Sequence, residues 1–211
     1  MGLARRLEER LERMVEGFAA RIFGGKVHPV ELGEAIVRHA DLSLTTGSVA
    51  PNGFIVHMGG PPAEGVDLGL LQQELAEVVA ERGWRTEGPV NIAVVAHEDR
   101  DPAVVRVESS VLPGPIAPWA RLLPGNGATP IDVKLNRATL GRSGACDVHV
   151  ASAEVSRCHA LLWREAGRVL IDDLDSANGT YVDSQMVIGI TEVDDGDLVA
   201  LGEAGLVLRI V

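Results

Sequence analysis

Three short polar clusters in the second half of the chain carry residue types that a binding site would need. They are Gly141-Arg142, Ser156-Arg157-Cys158-His159 and Ser176-Ala177-Asn178-Gly179-Thr180. Each cluster stands beside a short apolar run of strand character. Short strands separated by turn residues are typical of an antiparallel sandwich or barrel. The clusters are therefore predicted to lie in loops, where a rigid sheet scaffold carries binding groups.

The side chains of these clusters suit an anionic and extended ligand. Arg142 offers a planar fork of donors that matches two oxygens of a phosphate or a carboxylate. Ser156 adds a hydroxyl and Arg157 a second cation, and the Asn178 amide can both donate to and accept from a peptide main chain. Together they indicate a receptor for a phosphorylated peptide.

Each residue has a plainer interpretation when it is taken alone. Arg142 is then a solvated surface residue, His159 a core histidine, and Asn178-Gly179 only a turn. The order and spacing of all three clusters, interleaved with strands, favour the binding interpretation.

In this order and at this spacing, Gly-Arg, Ser-x-x-His and Asn-Gly resemble the forkhead-associated (FHA) domain, over roughly the second half of the chain. The resemblance implies an all-β, eleven-stranded antiparallel β-sandwich that binds phosphothreonine peptides. It also implies that Arg142 and Ser156 hold the phosphate with Arg157 as a third contact. Asn178 would fix the peptide backbone, and Ser176 would help to order that loop.

Other positions of the same motifs are implied to be structural. Gly141, His159 and Gly179 match positions that hold the loops in shape. Two departures concern the finer peptide preference: Ala177 stands where some relatives have a hydroxyl, and Asp183-Ser184 stands where Asn-Gly is common.

Length and charge limit the classes of function. The 211 residues suffice for one large or two small domains. The formal charge is -11, and both halves are acidic: residues 1–110 hold 11 Lys and Arg against 17 Asp and Glu, and residues 111–211 hold 8 against 13. This balance argues against a nucleic-acid partner and against an anionic membrane surface.

The sequence also predicts the compartment. Two cysteines form no disulfide framework, so reduced thiols are expected. No apolar run reaches the length of about eighteen residues that a transmembrane helix needs. Acidic residues interrupt the N-terminal stretch where a signal peptide would be apolar. We therefore expect a cytoplasmic protein with no membrane insertion.

Apolar periodicity in the first half predicts an α+β domain. Residues 3–23 are predicted to form an amphipathic helix, whose apolar stripe suggests packing on its own domain more than a membrane surface or a partner groove. The predicted order is ααββαββ. The remaining elements are a helix over 29–40, a strand or loop over 41–47, a strand over 54–58, a helix between Asp67 and Gly83, and strands over 90–96 and 103–108 joined by a polar turn.

The first half resembles a further family in several short stretches of sequence. Two of them are Val27-His28-Pro29-Val30-Glu31-Leu32 and Val49-Ala50-Pro51-Asn52-Gly53-Phe54. This family is the N-terminal domain of actinobacterial FHA proteins that regulate the cell wall. The resemblance implies a link to Ser/Thr kinases and to peptidoglycan synthesis. The predicted domains are residues 1–110, a short Pro/Gly linker over 111–130, and an FHA domain over 131–211. Trp119 to Leu123 in the linker are a candidate first FHA strand.

No catalytic constellation is present in the sequence. There is no phosphate-binding Gly-rich loop followed by Lys-Ser or Lys-Thr, no nucleophile elbow and no His-Glu-x-x-His, so we expect no enzyme and no cofactor. Cys146 with His149, and Cys158 with His159, could suggest zinc. Neighbouring Cys and His on a strand would point to opposite faces, so no metal site is expected.

The leading hypothesis is a phosphothreonine-reading adaptor whose partner is a kinase or a kinase substrate, with recruitment to a membrane protein as a further expectation. The alternatives are a phosphate-independent assembly module that acts through the first half, and an enzyme in the first half. Phosphorylated Thr45 or Thr46 could also fold back onto the pocket. The sequence does not determine the kinase, the target peptide or the oligomeric state.

Overall fold

The computed structural model describes residues 29–44, 49–59, 67–98, 101 and 105–211. The predicted helix over 3–23 and the two threonines Thr45 and Thr46 lie outside these residues. The chain divides into two units: Met1–Val78 with Thr86–Gly114, and Val79–Arg85 with Pro115–Val211.

Two described helices precede most of the strands. Helix α1 spans Pro29–Ser43, and it buries Leu32, Ile36 and Ala40 at helical spacing. Helix α2 spans Leu68–Glu81. The Asp67 carboxylate accepts from the backbone N–H of Gly69 (2.9 Å) and Leu70 (3.1 Å), so Asp67 is the N-cap of this helix. No described helix has the length and hydropathy needed to cross a membrane.

The first unit contains a three-stranded sheet with β1 (Gly53–Gly59) in its centre, between β2 (Asn91–His97) and β3 (Val105–Ser110). Phe54, Val56 and Met58 are buried in alternation along β1, as a strand with one core face requires. Helix α1 packs against β3.

The predicted α+β class is confirmed, with two differences inside it. Residues 41–43 continue helix α1 instead of forming the expected strand or loop, so one strand precedes α2 in the described residues. Strands β2 and β3 were expected to pair as a hairpin, but β1 separates them. Strand β2 pairs parallel to β1 because α2 provides the crossover that a parallel connection needs.

The second unit is a sandwich of eleven strands, as the FHA resemblance implies. Six strands form one sheet in the order β11-β10-β13-β14-β4-β5, and five form the other in the order β12-β9-β8-β6-β7. The strands are β4 (Ala120–Pro124), β5 (Ile131–Val133), β6 (Ala138–Gly141), β7 (Val148–His149), β8 (Ala160–Glu165), β9 (Arg168–Asp173), β10 (Thr180–Val182), β11 (Gln185–Met186), β12 (Thr191–Glu192), β13 (Leu198–Leu201) and β14 (Ala204–Ile210).

One apolar core lies between these two sheets. It is built mainly of aliphatic residues, and its fully buried members include Leu122, Leu140, Leu162, Ile171 and Leu201. All pairs are antiparallel except β6 with β7. The core fixes the ends of β6, β8 and β9, and the loops at these ends carry the three polar clusters.

Residues 187–193 are rich in β-branched side chains and predict one strand, but only Thr191–Glu192 among them form a strand, β12. Strand β11 ends at Met186 and β12 begins at Thr191. Gly189 between them has φ +68, a left-handed conformation that a regular strand does not contain. Asp194-Asp195-Gly196 has the sequence of a hairpin turn, but it joins β12 of one sheet to β13 of the other and is therefore not a hairpin.

Candidate functional site

A pocket of about 850 Å³ lies among three loops of the second unit. Loop 1 (residues 142–147) follows β6, loop 2 (residues 150–159) follows β7, and loop 3 (residues 174–179) follows β9. The pocket is lined by Thr139, Arg142, Ser143, Ala145, Cys146, Ala153, Glu154, Val155, Ser156, Arg157, Cys158, Ala177 and Asn178. Four predicted binding residues, Arg142, Ser156, Arg157 and Asn178, thus line one cavity.

Backbone hydrogen bonds hold loop 1 against loop 2. Arg142 N–H donates to Ser156 O (2.9 Å), and Ser143 N–H donates to Arg157 O (3.1 Å). A Cβ atom on Gly141 would lie 2.3 Å from Arg157 O, so this close approach requires glycine. The structural position predicted for Gly141 therefore lies at the contact between the two loops.

The Arg142 side chain is oriented by one hydrogen bond and retains further donors. Its Nε–H donates to Val155 O (3.1 Å). Within the described part of the chain, its terminal nitrogens make no hydrogen bond, and the same holds for the exposed guanidinium of Arg157. Two cationic groups with unused donors therefore line the pocket.

The Ser156 hydroxyl accepts one hydrogen bond, and its own O–H is available to donate another. The Ala177 backbone N–H donates to Ser156 Oγ (3.0 Å), which joins loop 3 to loop 2. A hydroxyl that accepts one hydrogen bond still has its own O–H to donate. The Ser156 hydroxyl can therefore donate to an anion in the pocket.

His159 connects loops 2 and 3 from beneath the pocket. It is fully buried, its Nδ1 accepts from Ser156 N–H (2.9 Å), and its Nε2 lies 3.1 Å from Gly179 O. Since a carbonyl only accepts, Nε2 carries the proton and the ring is the neutral Nε2–H tautomer. His159 does not line the pocket, and the predicted structural residues His159 and Gly179 contact each other.

The Asn178 amide is held by Glu154. Its Nδ2 donates to Glu154 O (2.9 Å) and to Glu154 Oε2 (2.9 Å). With both donors used, the orientation of the amide is determined and Asn178 Oδ1 is the group left to accept from a ligand. Glu154 was not predicted as a site residue, because an acidic residue in a loop has nothing in its sequence context to indicate this contact.

Ser176 lies behind the pocket wall and does not line the cavity. Its backbone N–H and its hydroxyl donate to the two oxygens of Asp173 (2.9 and 2.7 Å). The Thr180 hydroxyl donates to Asp173 as well (2.5 Å). Burial alone would raise the pKa of Asp173, but the hydrogen bonds from Thr180 and Ser176 outweigh it and lower that pKa below its ordinary value. Asp173 thus binds the middle of loop 3 and the residue that follows the loop, and sequence reasoning missed it.

The residues considered for zinc are not brought together. Cys146 and Cys158 line this pocket, whereas His149 lines a second cavity of about 740 Å³. Both ring nitrogens of His159 are engaged with the backbone. In the described part of the chain, no group of three or more His, Cys, Asp and Glu is arranged to hold a metal ion.

Two family models match the chain. The FHA domain matches residues 138–202, and the FhaA N-terminal domain matches residues 4–108. Among known proteins, FHA domain-containing protein FhaA of Mycobacterium tuberculosis is 37% identical over 99 residues. That stretch is 42% of this chain and only 19% of the mycobacterial protein.

Solved structures with a similar sandwich include Mycobacterium tuberculosis EmbR in complex with a low-affinity phosphopeptide. It is 25% identical with a TM-score of 0.42, over 44% of this chain and 24% of that one. Another is the FhaA FHA domain complexed with the intracellular domain of Rv3910. It is 25% identical with a TM-score of 0.40, over 43% of this chain and 99% of that one. The two family matches, together with the sequence similarity to FhaA, show that the chain belongs to the FHA domain proteins that carry an FhaA N-terminal domain.

Proposed function

We propose that the second unit binds phosphothreonine peptides and that the protein is a non-enzymatic adaptor. The observation that carries this proposal is the pocket in which Arg142, Ser156, Arg157 and Asn178 meet with hydrogen-bonding capacity to spare. Membership of the FHA family supports it independently.

The unused groups match the parts of a phosphorylated peptide. A phosphate monoester near neutral pH has close to two negative charges and three terminal oxygens. Arg142 supplies terminal N–H donors, Ser156 an O–H and Arg157 a second cation. Asn178 Oδ1 then accepts from the peptide backbone, which selects an extended main chain beside the phosphate.

The setting of this adaptor is a finer proposal that rests on the family. We place it in the cytoplasm, in Ser/Thr-kinase signalling linked to cell-wall synthesis. Its partner would be a phosphorylated kinase or kinase substrate, including the intracellular part of a membrane protein. The first unit would contact a second partner.

Calorimetric titration with three matched peptides tests the proposed binding. The peptides carry phosphothreonine, phosphoserine or plain threonine at one position. We expect binding to phosphothreonine and none to plain threonine. Arg142→Ala should lose about 3 kcal/mol or more, because a hydrogen-bonded charge pair with the phosphate is removed.

Arg168→Ala is the matched control, since Arg168 is an exposed arginine outside the pocket lining. It should bind like the unmodified chain. Equal affinity for the phosphorylated and plain peptides, or an Arg142→Ala variant that binds normally, would contradict the proposal. That result would instead favour the phosphate-independent assembly module.

A further inference from the structure

Both cysteines of the chain line the proposed phosphopeptide pocket. Cys146 in loop 1 is half-buried, Cys158 in loop 2 is exposed, and both are free thiols. They lie twelve positions apart in sequence, one in each of the two loops that carry Arg142 and Arg157. Backbone hydrogen bonds hold these two loops together.

The geometry brings the two side chains close to each other. Cys146 Sγ donates to Arg157 O at 3.0 Å. Standard backbone dimensions place the next Cα, that of Cys158, about 3 Å from that oxygen. Cys146 Sγ therefore lies within about 6 Å of the Cys158 Cα, a separation that a small loop adjustment can close to a disulfide.

Electrostatics agrees with this proximity. Burial raises the pKa of the Cys146 thiol, and the negative charge of a Cys158 thiolate raises it further. Cys146 therefore remains a protonated hydrogen-bond donor under reducing conditions. Cys158 is the thiol that an oxidant in solvent reaches first.

We propose that Cys146 and Cys158 form a reversible disulfide that closes the phosphopeptide pocket when the chain meets a peroxide. The formation of the disulfide is independent of the proposed function, whereas its effect on ligand binding rests on that function. The site is thus a redox-modification site inside a recognition pocket.

The chemistry uses one peroxide molecule for each disulfide. The Cys158 sulfur attacks one oxygen of hydrogen peroxide, the O–O bond breaks, and the departing hydroxide takes up a proton to become water. Cys158 is now a sulfenic acid. The Cys146 sulfur attacks it, the S–S bond forms, and the hydroxyl leaves with the Cys146 proton as a second water. Two thiols lose two electrons, and the peroxide gains them.

Oxidation changes the pocket through Arg157. The disulfide removes the S–H that donates to Arg157 O, and it pulls loop 1 toward Cys158. Arg142 lies at the start of loop 1 and Arg157 lies next to Cys158 in loop 2, so the disulfide changes the position of one guanidinium group relative to the other. We expect oxidation to weaken phosphothreonine-peptide binding by about tenfold or more, the equivalent of one hydrogen bond to a charged group.

The experiment treats the full chain with hydrogen peroxide and then with dithiothreitol. Intact mass and thiol counting should show an internal disulfide in a monomeric chain, and calorimetry with the phosphothreonine peptide should show reversible loss of affinity. Amide chemical shifts of loops 1 and 2 report the same rearrangement without ligand. If the reduced chain does not bind the peptide, the proposed function fails, while mass and shifts still test the disulfide.

Cys146→Ser and Cys158→Ser provide the comparison, each measured against itself before and after peroxide. Both variants should lose the oxidation-dependent change in affinity and in chemical shift. A disulfide between two chains, no internal disulfide, or an internal disulfide with unchanged affinity in a chain that binds when reduced would each overturn the proposal.

Discussion

Gly141 ends β6 and Gly144 lies three positions later in loop 1, but the surroundings of the two glycines differ. A Cβ on Gly141 would meet Arg157 O at 2.3 Å and Cys146 Sγ at 2.8 Å, whereas a Cβ on Gly144 would meet no heavy atom within 4 Å. Neither glycine has a positive φ. The two glycines therefore differ only in the room that a side chain would have. Alanine substitutions at these two positions form a matched pair.

Gly141→Ala should destabilise the second unit by about 1–3 kcal/mol, because the added methyl group overlaps a backbone atom that cannot rotate away. It should also weaken phosphothreonine-peptide binding, since loops 1 and 2 must separate. Denaturant unfolding and calorimetry measure the two effects. Gly144→Ala should leave both unchanged within about 0.5 kcal/mol. Equal behaviour of the two variants would argue against the loop contact.

For single residues, the sequence predicts which side chains belong to the candidate site better than it predicts the groups that orient them. Arg142, Ser156 and Asn178 are recognisable because their types and spacing suit a phosphopeptide. The groups that orient them are mostly backbone carbonyls, such as Val155 O and Glu154 O. Every residue has a carbonyl, so no residue type marks these partners. Asn52 is a similar case, because its turn-like sequence hides a buried side chain that binds Pro89 O and Leu112 O.

Loop 3 is an element whose shape depends on one carboxylate. Asp173 accepts from Ser176 at the middle of the loop and from Thr180 just after it. These hydrogen bonds lower the pKa of Asp173 in the folded chain below its ordinary value of about 3.9. The stability that they contribute is therefore present above that pH and is lost as the pH falls through the lower folded pKa.

Asp173→Asn tests this linkage, since asparagine keeps the size of the side chain and removes its charge. The free energy of unfolding should differ between the two chains by a constant amount above about pH 5, and the difference should shrink below about pH 4. Denaturant unfolding across this range measures it, with the unmodified chain as reference. Parallel curves down to about pH 3 would show that Asp173 contributes no pH-dependent stability.

The elements that the sequence predicts well are those with short alternating apolar runs. Ala138–Gly141 and Thr180–Val182 are such runs, and they form β6 and β10, which both adjoin a polar cluster. The points at which the chain crosses from one sheet to the other are harder to predict. The Asp183-Ser184 turn joins β10 and β11 with both residues at positive φ (46° and 69°), where Asn-Gly is favoured. The crossing at Gly189 depends on which sheet each strand joins, and local sequence does not specify that.

The chain carries a formal charge of -11, whereas the ligand proposed for its pocket is an anion. Long-range repulsion and local attraction therefore oppose each other, and salt screens the long-range part first. A phosphopeptide with acidic flanks should associate faster as salt rises, whereas one with basic flanks should associate more slowly. Stopped-flow association rates between about 20 and about 500 mM salt measure this. The same salt dependence for both peptides would contradict it.

Domain organisation is also a property of the whole molecule. One family model matches residues 4–108 and the other matches residues 138–202. The matched part of FhaA is about a fifth of that protein, so the similarity by itself assigns no activity of the longer protein to this chain.

The Ser156 hydroxyl already accepts from the Ala177 N–H, so it meets a ligand as a hydrogen-bond donor. This has a consequence for phosphomimetic substitutions in the binding partner. The proposed pocket offers separate donors to several terminal oxygens of a dianion. A glutamate or aspartate placed at the target threonine has one charge and two coplanar oxygens, so it leaves part of this donor set without a partner. Phosphomimetic alleles of the binding partner should therefore behave like unphosphorylated ones.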